Sequence, residues 1–259
     1  ITKNKGLICF TISSAPISAI LRLAMSGKAK SAPDDLFERS DDIVLPPRSN
    51  ALIDAYLQHV GAEPSQYKDT VPAHLFAQWG FAPMVRAIRG VPYPLRQALN
   101  GGCRLEINSP IPRGEELNIR SRLVEIDDNG RRAILRIEVV TGTKSSPNAL
   151  RAEPYLIIPL RSKGGPKREK ERPTIANDAS LLKTWDLAAN VGREFAVLTG
   201  DINPIHTFTP YARLAGFKGC ILHGFSSLAR ATESVIATRC DGDPTRLKHI
   251  DAKFTKAIV

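Results

Sequence analysis

The sequence is short of the residue types that define several common protein classes. It has four cysteines, and no two of them form a C-x-x-C pair. That spacing favours neither a zinc site nor a small disulfide scaffold, and it predicts a reduced, cytoplasmic protein. Aromatic residues make up only 6% of the chain, so few of them are interleaved with the basic runs. Because no nucleic-acid recognition motif is present either, we expect no nucleic-acid partner.

The apolar run near the N-terminus is short. Residues 6–21 are uncharged, but this run of 16 residues contains Pro16 and ends before Arg22. It is too short to span a bilayer comfortably, and it predicts a strand followed by an amphipathic helix. Ile17 and Ile20 would share one face of that helix, so contact with a membrane surface stays open as the alternative.

Acidic residues are too few to balance the basic ones. The 259 residues include 36 Lys and Arg against 26 Asp and Glu, a formal charge of +10. This excess favours an anionic partner, such as a phosphate-bearing cofactor or an acidic carrier protein. The 42% apolar content is enough to bury a core, either in one large domain or in two of similar size.

The hydrophobic periodicity divides the chain into two halves joined by a basic linker. The expected order is an N-terminal extension, a first half, a linker and a second half, at residues 1–48, 49–160, 161–173 and 174–259. The extension ends in a charged connector. The linker holds six basic residues and two glycines, which is typical of an exposed segment.

In the first half, the pattern predicts helices followed by strands. Helical spacing indicates helices within residues 50–62 and 73–88, with a kink or break at Pro83. From residue 103 the apolar period changes to two, which predicts an antiparallel sheet. The sequence DDNGR at 127–131 is typical of a hairpin turn.

The second half repeats the order but is short of strands. Helices are predicted within residues 178–200 and 216–237, and a single strand candidate lies within 246–259. A lone strand would leave the apolar face of the second helix exposed. The second half is therefore predicted to be incomplete, and we expect further strands after Val259, with a partner chain that supplies the same sheet edge as the alternative.

The stretch LTGDINPIH, at residues 198–206, holds the densest cluster of polar groups. Gly200 permits a tight turn and the Asn-Pro pair favours another, so Asp201 and His206 are expected to fold back toward each other. A carboxylate and an imidazole can hold one water molecule between them, with one group taking a proton and the other giving one. Such a pair is suited to adding or removing water.

A second element lies 18 positions after His206. Gly224 opens a predicted helix, where an unobstructed N–H at the positive end of the helix dipole can stabilise an oxyanion. Thr232 would add a hydroxyl to the same pocket. His223 is expected to be a packed residue at the helix entry, with a catalytic role as the alternative. Asp201, His206 and His223 have no familiar ligand spacing, so no metal is expected.

The run F-x-x-L-T-G-D-x-N-P-x-H at 195–206, followed by His223 and Gly224, resembles the signature of the MaoC-like, or hydratase 2, family. These are (R)-specific enoyl-thioester hydratases and 3-hydroxyacyl dehydratases. The motif match covers about residues 185–236, whereas the first half resembles the family only in architecture. The resemblance implies an α+β double hot-dog fold, in which an antiparallel sheet wraps a long helix in each half, with a non-catalytic first half.

The resemblance also implies residue roles. Asp201 and His206 would activate water, and the Gly224 N–H would polarise the thioester carbonyl. Asn203 would support the loop, and Thr232 stands where relatives often place a serine. The implied reaction is hydration of trans-2-enoyl thioesters or dehydration of (R)-3-hydroxyacyl thioesters in fatty-acid metabolism. It needs no cofactor besides the CoA or phosphopantetheine that carries the acyl group.

The expected partners follow from that reaction. They are acyl-CoA or an acyl carrier protein, and a homodimer is one arrangement that the family allows. The alternative function is a non-catalytic module with the same fold that binds acyl-CoA or acyl carrier protein.

Overall fold

The computed structural model describes residues 32–160 and 177–259. The helix predicted near the N-terminus and the basic linker at 161–173 lie outside these described residues. Within the two described ranges, no helix combines the length and the apolar character that crossing a membrane requires.

The first helix of the first half begins and ends as its sequence predicts. α1 (Asn50–Val60) starts after Ser49, whose hydroxyl accepts a hydrogen bond from the Leu52 N–H. It ends at Gly61, which has a φ of 80° and so adopts the left-handed conformation that favours glycine. The buried face of α1 consists of Ile53, Tyr56, Leu57 and Val60.

The second helix, α2 (Ala77–Ala87), follows a 3-10 turn at Ala73–Leu75. Pro83 lies inside α2, and the helix continues through it without a break. The missing N–H of proline removes one hydrogen bond. Because α2 packs against three strands of the sheet, that packing holds the helix together on both sides of the proline.

One antiparallel sheet of six strands forms the body of the described chain. Its strands are β1 (Asp41–Leu45), β3 (Leu99–Ile107), β5 (Leu117–Asp128), β6 (Arg132–Gly142), β7 (Leu150–Pro159) and β8 (His249–Lys253). Their spatial order is β1-β5-β6-β7-β3-β8. A separate two-stranded sheet joins β2 (Thr70–Val71) to β4 (Ile111–Pro112). Buried and exposed side chains alternate along the first part of β5, as the two-residue period predicts.

The predicted hairpin and one unpredicted strand complete the sheet. DDNGR joins β5 to β6, and its glycine, Gly130, has a φ of 74°. β1 lies in the stretch predicted to be a connector, and its Leu45 pairs with Leu117 of β5. The first-half sheet therefore begins before residue 49. The five residues of β1 include only three apolar side chains, which is too short a pattern to predict a strand. The segment is a strand because it pairs with β5.

The second half contributes three helices and one strand. The helices are α3 (Val191–Thr199), α4 (Thr209–Leu214) and α5 (Gly224–Arg239). α3 is shorter than predicted, because residues 178–190 are irregular and Leu181 is 84% exposed, without a surface to pack on. β8 confirms the predicted strand. It pairs with β3 of the first half, so both halves share one sheet.

The apolar face of α5 is covered by the first half. Phe225, Leu228 and Ile236 are buried, and the Phe225 ring meets Phe76 edge-on with centroids 5.2 Å apart. α5 also contacts α1 and the 3-10 turn before α2. Within the described residues, the first half thus supplies the cover that this apolar face needs, and further strands after Val259 stay a prediction.

Candidate active site

The loop between α3 and α4 carries the candidate catalytic groups. α3 ends at Gly200, whose φ of 77° places it in the left-handed region. The Asn203 side chain then accepts a hydrogen bond from the Ile205 N–H and caps the 3-10 turn Pro204–His206. These local contacts turn the chain back on itself, as the glycine and the Asn-Pro pair predict.

The loop brings Asp201 and His206 together, and His223 joins them from the entry of α5. One polar side-chain atom of each residue lies within 4.8 Å of the others. Asp201 and His206 are half-buried, whereas His223 is buried. The convergence of Asp201 and His206 is the geometry that their sequence spacing predicts.

The hydrogen bonds of His206 identify the ring nitrogen that is available for chemistry. Nδ1 lies 2.8 Å from the backbone oxygen of Ile221. A carbonyl oxygen can only accept, so Nδ1 carries the hydrogen, and in the neutral ring Nε2 keeps a lone pair. His206 is therefore oriented to accept a proton at Nε2.

His223 is held in the neutral form. Its Nε2 lies 3.0 Å from the backbone oxygen of Asp201, so that nitrogen carries the hydrogen. Burial lowers the pKa of His223 to about 4, although the Asp201 carboxylate acts in the opposite direction. At neutral pH the site therefore contains one histidine that is buried and uncharged beside one that solvent can reach.

Gly224 stands at the start of α5, directly after His223. Its N–H has no acceptor within the helix because it belongs to the first helical residue. A Cβ at this position would lie 2.5 Å from Cε2 of Phe254, so only glycine fits without movement of that ring. The N–H thus lies at the positive end of the helix dipole, and Gly224 has no side chain of its own beside it.

Thr232 is not part of this cluster. Its hydroxyl donates to the Leu228 carbonyl at 2.8 Å, and its side chain lines a cavity of about 40 Å³ together with Tyr67 and His74. Asp201 and His206 do not line that cavity. Two helical turns separate Thr232 from Gly224, which carries its hydroxyl away from the catalytic loop. The predicted role of Thr232 stays a prediction.

A polar contact that the sequence did not predict fixes α3 against the first half. His59 of α1 lies 3.4 Å from Oε2 of Glu194, and a guanidinium nitrogen of Arg230 lies 3.5 Å from His59 Nε2. These residues link α1, α3 and α5. Because 135 positions separate His59 from Glu194, no local pattern in the sequence could have revealed the contact.

Asp201, His206 and His223 are residue types that can bind metal ions, but the orientation of the two histidine rings does not suit an ion. The His206 and His223 rings are stacked, with centroids 3.7 Å apart and planes 26° from parallel. Ring lone pairs lie in the ring plane, so stacked rings direct them side by side rather than toward one point. One nitrogen of each ring is also committed to a backbone oxygen. We derive no step through a metal.

Comparison with known proteins relates part of the chain to a known domain. Residues 164–259 match the MaoC like domain. The chain is 28% identical to probable enoyl-CoA hydratase 2 of Dictyostelium discoideum over 176 residues. This matched region covers 66% of this chain and 60% of that protein. It is 30% identical to 3-hydroxyacyl-thioester dehydratase Y of Mycobacterium tuberculosis over 173 residues. This matched region covers 62% of this chain and 57% of that protein. The chain therefore spans about 60% of the length of these relatives.

The fold is also found among solved structures. A Mycobacterium tuberculosis protein with a double hot-dog fold superimposes with a TM-score of 0.54 at 14% identity, covering 91% of this chain and 82% of that chain. At this identity the similarity concerns the fold alone, and it confirms the predicted α+β double hot-dog class. The second half of the chain thus carries a match to the MaoC like domain, and the relatives that the chain resembles have hydratase and dehydratase names.

Proposed function

We propose that this chain catalyses the reversible addition of water to trans-2-enoyl thioesters, which in reverse is the dehydration of (R)-3-hydroxyacyl thioesters. The observation that carries the proposal is the convergence of Asp201 and His206 with the Nε2 lone pair of His206 left free. The hydratase and dehydratase names of the relatives support the same reaction class.

The proposed chemistry uses the two groups as an acid and a base. Asp201 and His206 hold a water molecule whose oxygen bonds to C3 of the enoyl group. One of the two groups takes a proton from this water, and the other supplies a proton to C2. Negative charge that builds on the thioester oxygen meets the Gly224 N–H, a kind of donor that contributes about 10²–10³ in rate.

The substrate carrier belongs to the proposal as well. We infer that the acyl group arrives on CoA or on an acyl carrier protein, because both are anionic and the chain has a formal charge of +10. The acid–base pair performs the reaction without a further cofactor. A homodimer and a cytoplasmic location stay predictions.

A turnover assay tests the proposal. Purified chain is mixed with enoyl thioesters of several lengths on CoA and on acyl carrier protein, and loss of the 2-enoyl absorbance is followed. Turnover of at least one substrate supports the hydratase. Tight binding of the thioesters without turnover would instead support the non-catalytic binding module and overturn the hydratase.

A further inference from the structure

The buried ring of His223 lies against two other rings. His206 stacks on one side with centroids 3.7 Å apart, and the Phe195 ring lies on it with centroids 4.9 Å apart. His223 is 1% exposed. The ring therefore cannot turn without displacing one of these neighbours.

The edge of the same ring holds the catalytic loop. Its Nε2–H donates to the backbone oxygen of Asp201 at 3.0 Å. His223 is thus in contact with both members of the proposed acid–base pair, with the ring of His206 through its face and with the backbone of Asp201 through its edge. Helix α3 approaches closely here, since a Cβ at Gly192 would lie 2.8 Å from the His206 carbonyl oxygen.

The other edge of the ring has no partner. Nδ1 of His223 is buried and has no hydrogen-bond partner in the part of the chain that the structure describes. A buried acceptor without a donor destabilises a fold. An apolar ring would avoid this penalty but could not donate to Asp201, so the donor function explains why an imidazole occupies the position.

The first half contains a matching residue. The order His74-Leu75-Phe76 before α2 corresponds to His223-Gly224-Phe225 at α5, and the two phenylalanine rings meet edge-on. Nδ1 of His74 lies 3.1 Å from the Tyr56 hydroxyl, and Nε2 lies 2.6 Å from Oε1 of Glu233. Both ring nitrogens therefore take part in hydrogen bonds. A histidine that anchors the entry of the central helix is thus common to both halves.

We propose that His223 is a positioning residue that holds the Asp201 backbone and the His206 ring in their reactive arrangement and takes no part in proton transfer. This inference rests on the proposed hydratase function. Small displacements of reacting groups lower turnover strongly, so loss of either contact should be measurable.

Two variants separate the two contacts. His223→Gln can keep a donor toward the Asp201 oxygen but removes the stack, whereas His223→Phe keeps an aromatic face and removes the donor. We expect kcat to fall about 10- to 100-fold in each variant, with KM within about twofold and both limbs of the pH–rate profile unchanged. His249→Gln, an exposed histidine on β8, is the matched control and should behave as the wild type.

Two kinetic outcomes would overturn the proposal. The first is wild-type kcat in both folded variants. The second is loss of one limb of the pH–rate profile with His223, which would make it a proton-transfer group. Thermal unfolding verifies that each variant is folded.

An NMR measurement makes the test independent of turnover. The ring resonances of His206 should broaden or average in His223→Gln, which loses the stack, and unchanged resonances in that variant would overturn the proposal. In the wild type, His223 should not titrate above about pH 5. A His223 titration near neutral pH would overturn the proposal even if both variants failed to fold. If no thioester is turned over, the hydratase function fails while this measurement still decides the role of His223.

Discussion

His74 and Glu233 form a buried pair that joins the two halves of the chain. His74 Nε2 lies 2.6 Å from Glu233 Oε1, although 159 positions separate the residues. The Tyr67 hydroxyl donates to the same oxygen at 2.6 Å. Because Glu233 is on α5 and His74 precedes α2, this pair fixes the central helix of one half against that of the other.

The pair predicts a pH-dependent contribution to stability. Burial raises the pKa of Glu233, but the hydrogen bonds from His74 and Tyr67 outweigh burial and hold the pKa below its ordinary value of 4.5. A lowered pKa in the folded state means that the carboxylate stabilises the fold above that ordinary value. The contribution is lost as the pH falls through the folded-state pKa.

We expect Glu233→Gln to lower the free energy of unfolding by about 1–3 kcal/mol at pH 7, because a neutral amide replaces the charged acceptor of two buried hydrogen bonds. The difference from wild type should shrink as the pH falls below 4.5. Urea denaturation at pH 7, 5.5 and 4 measures it. Glu116→Gln, at an exposed position, is the control and should change stability by less than about 0.5 kcal/mol. Equal effects of the two variants would contradict the prediction.

Asp201→Asn and His206→Gln test the acid–base pair. Each should lower kcat by at least about 10², since general acid–base catalysis is typically worth 10²–10⁴. Thermal unfolding should show that both variants keep the fold. Asp251→Asn and His249→Gln make the same chemical changes on the exposed side of β8 and should leave kcat unchanged. Near-normal turnover of either site variant would remove that residue from the mechanism.

Gly224→Ala tests the close approach of Phe254. Alanine ordinarily favours a helix over glycine by about 1 kcal/mol. Here a Cβ would overlap the Phe254 ring, so we expect destabilisation by about 1–3 kcal/mol and lower kcat. Gly80→Ala in α2 is the control, because its Cβ would lie 3.4 Å from Val139, an ordinary contact.

A double-mutant cycle identifies the cause of the Gly224→Ala effect. Adding Phe254→Ala removes the ring, so the combined effect on unfolding should be smaller than the sum of the single effects. Strict additivity would show that the two positions do not interact.

The excess positive charge should affect binding more than chemistry. We expect KM for an enoyl-CoA to rise with ionic strength while kcat stays roughly constant, because salt screens exposed charges beyond about 8–10 Å. Steady-state kinetics from low to high salt measure both constants. An enoyl thioester of N-acetylcysteamine lacks the phosphates and is the control, with a KM that salt should leave unchanged. If the KM for enoyl-CoA is also independent of ionic strength, the formal charge of +10 does not contribute to substrate binding.

Local features of the candidate site could be predicted from the sequence. Gly200 and the Asn-Pro pair of LTGDINPIH turn the loop as expected, because turn formation depends on backbone preferences of a few adjacent residues. The hairpin turn at Gly130 follows for the same reason. Asp201 and His206 are five positions apart, so these local turns are sufficient to bring them together.

The tertiary structure alone decided the contacts between distant segments. β1 is a strand only because β5 pairs with it, and α5 is buried because the first half covers it. His74 meets Glu233, and His59 meets Glu194, through packing of the halves. His223 was identifiable as a helix-entry residue, but its ring contacts with Phe195 and His206 were not. Such contacts join residues far apart in the chain, and their geometry depends on how complete helices pack, which no short pattern encodes.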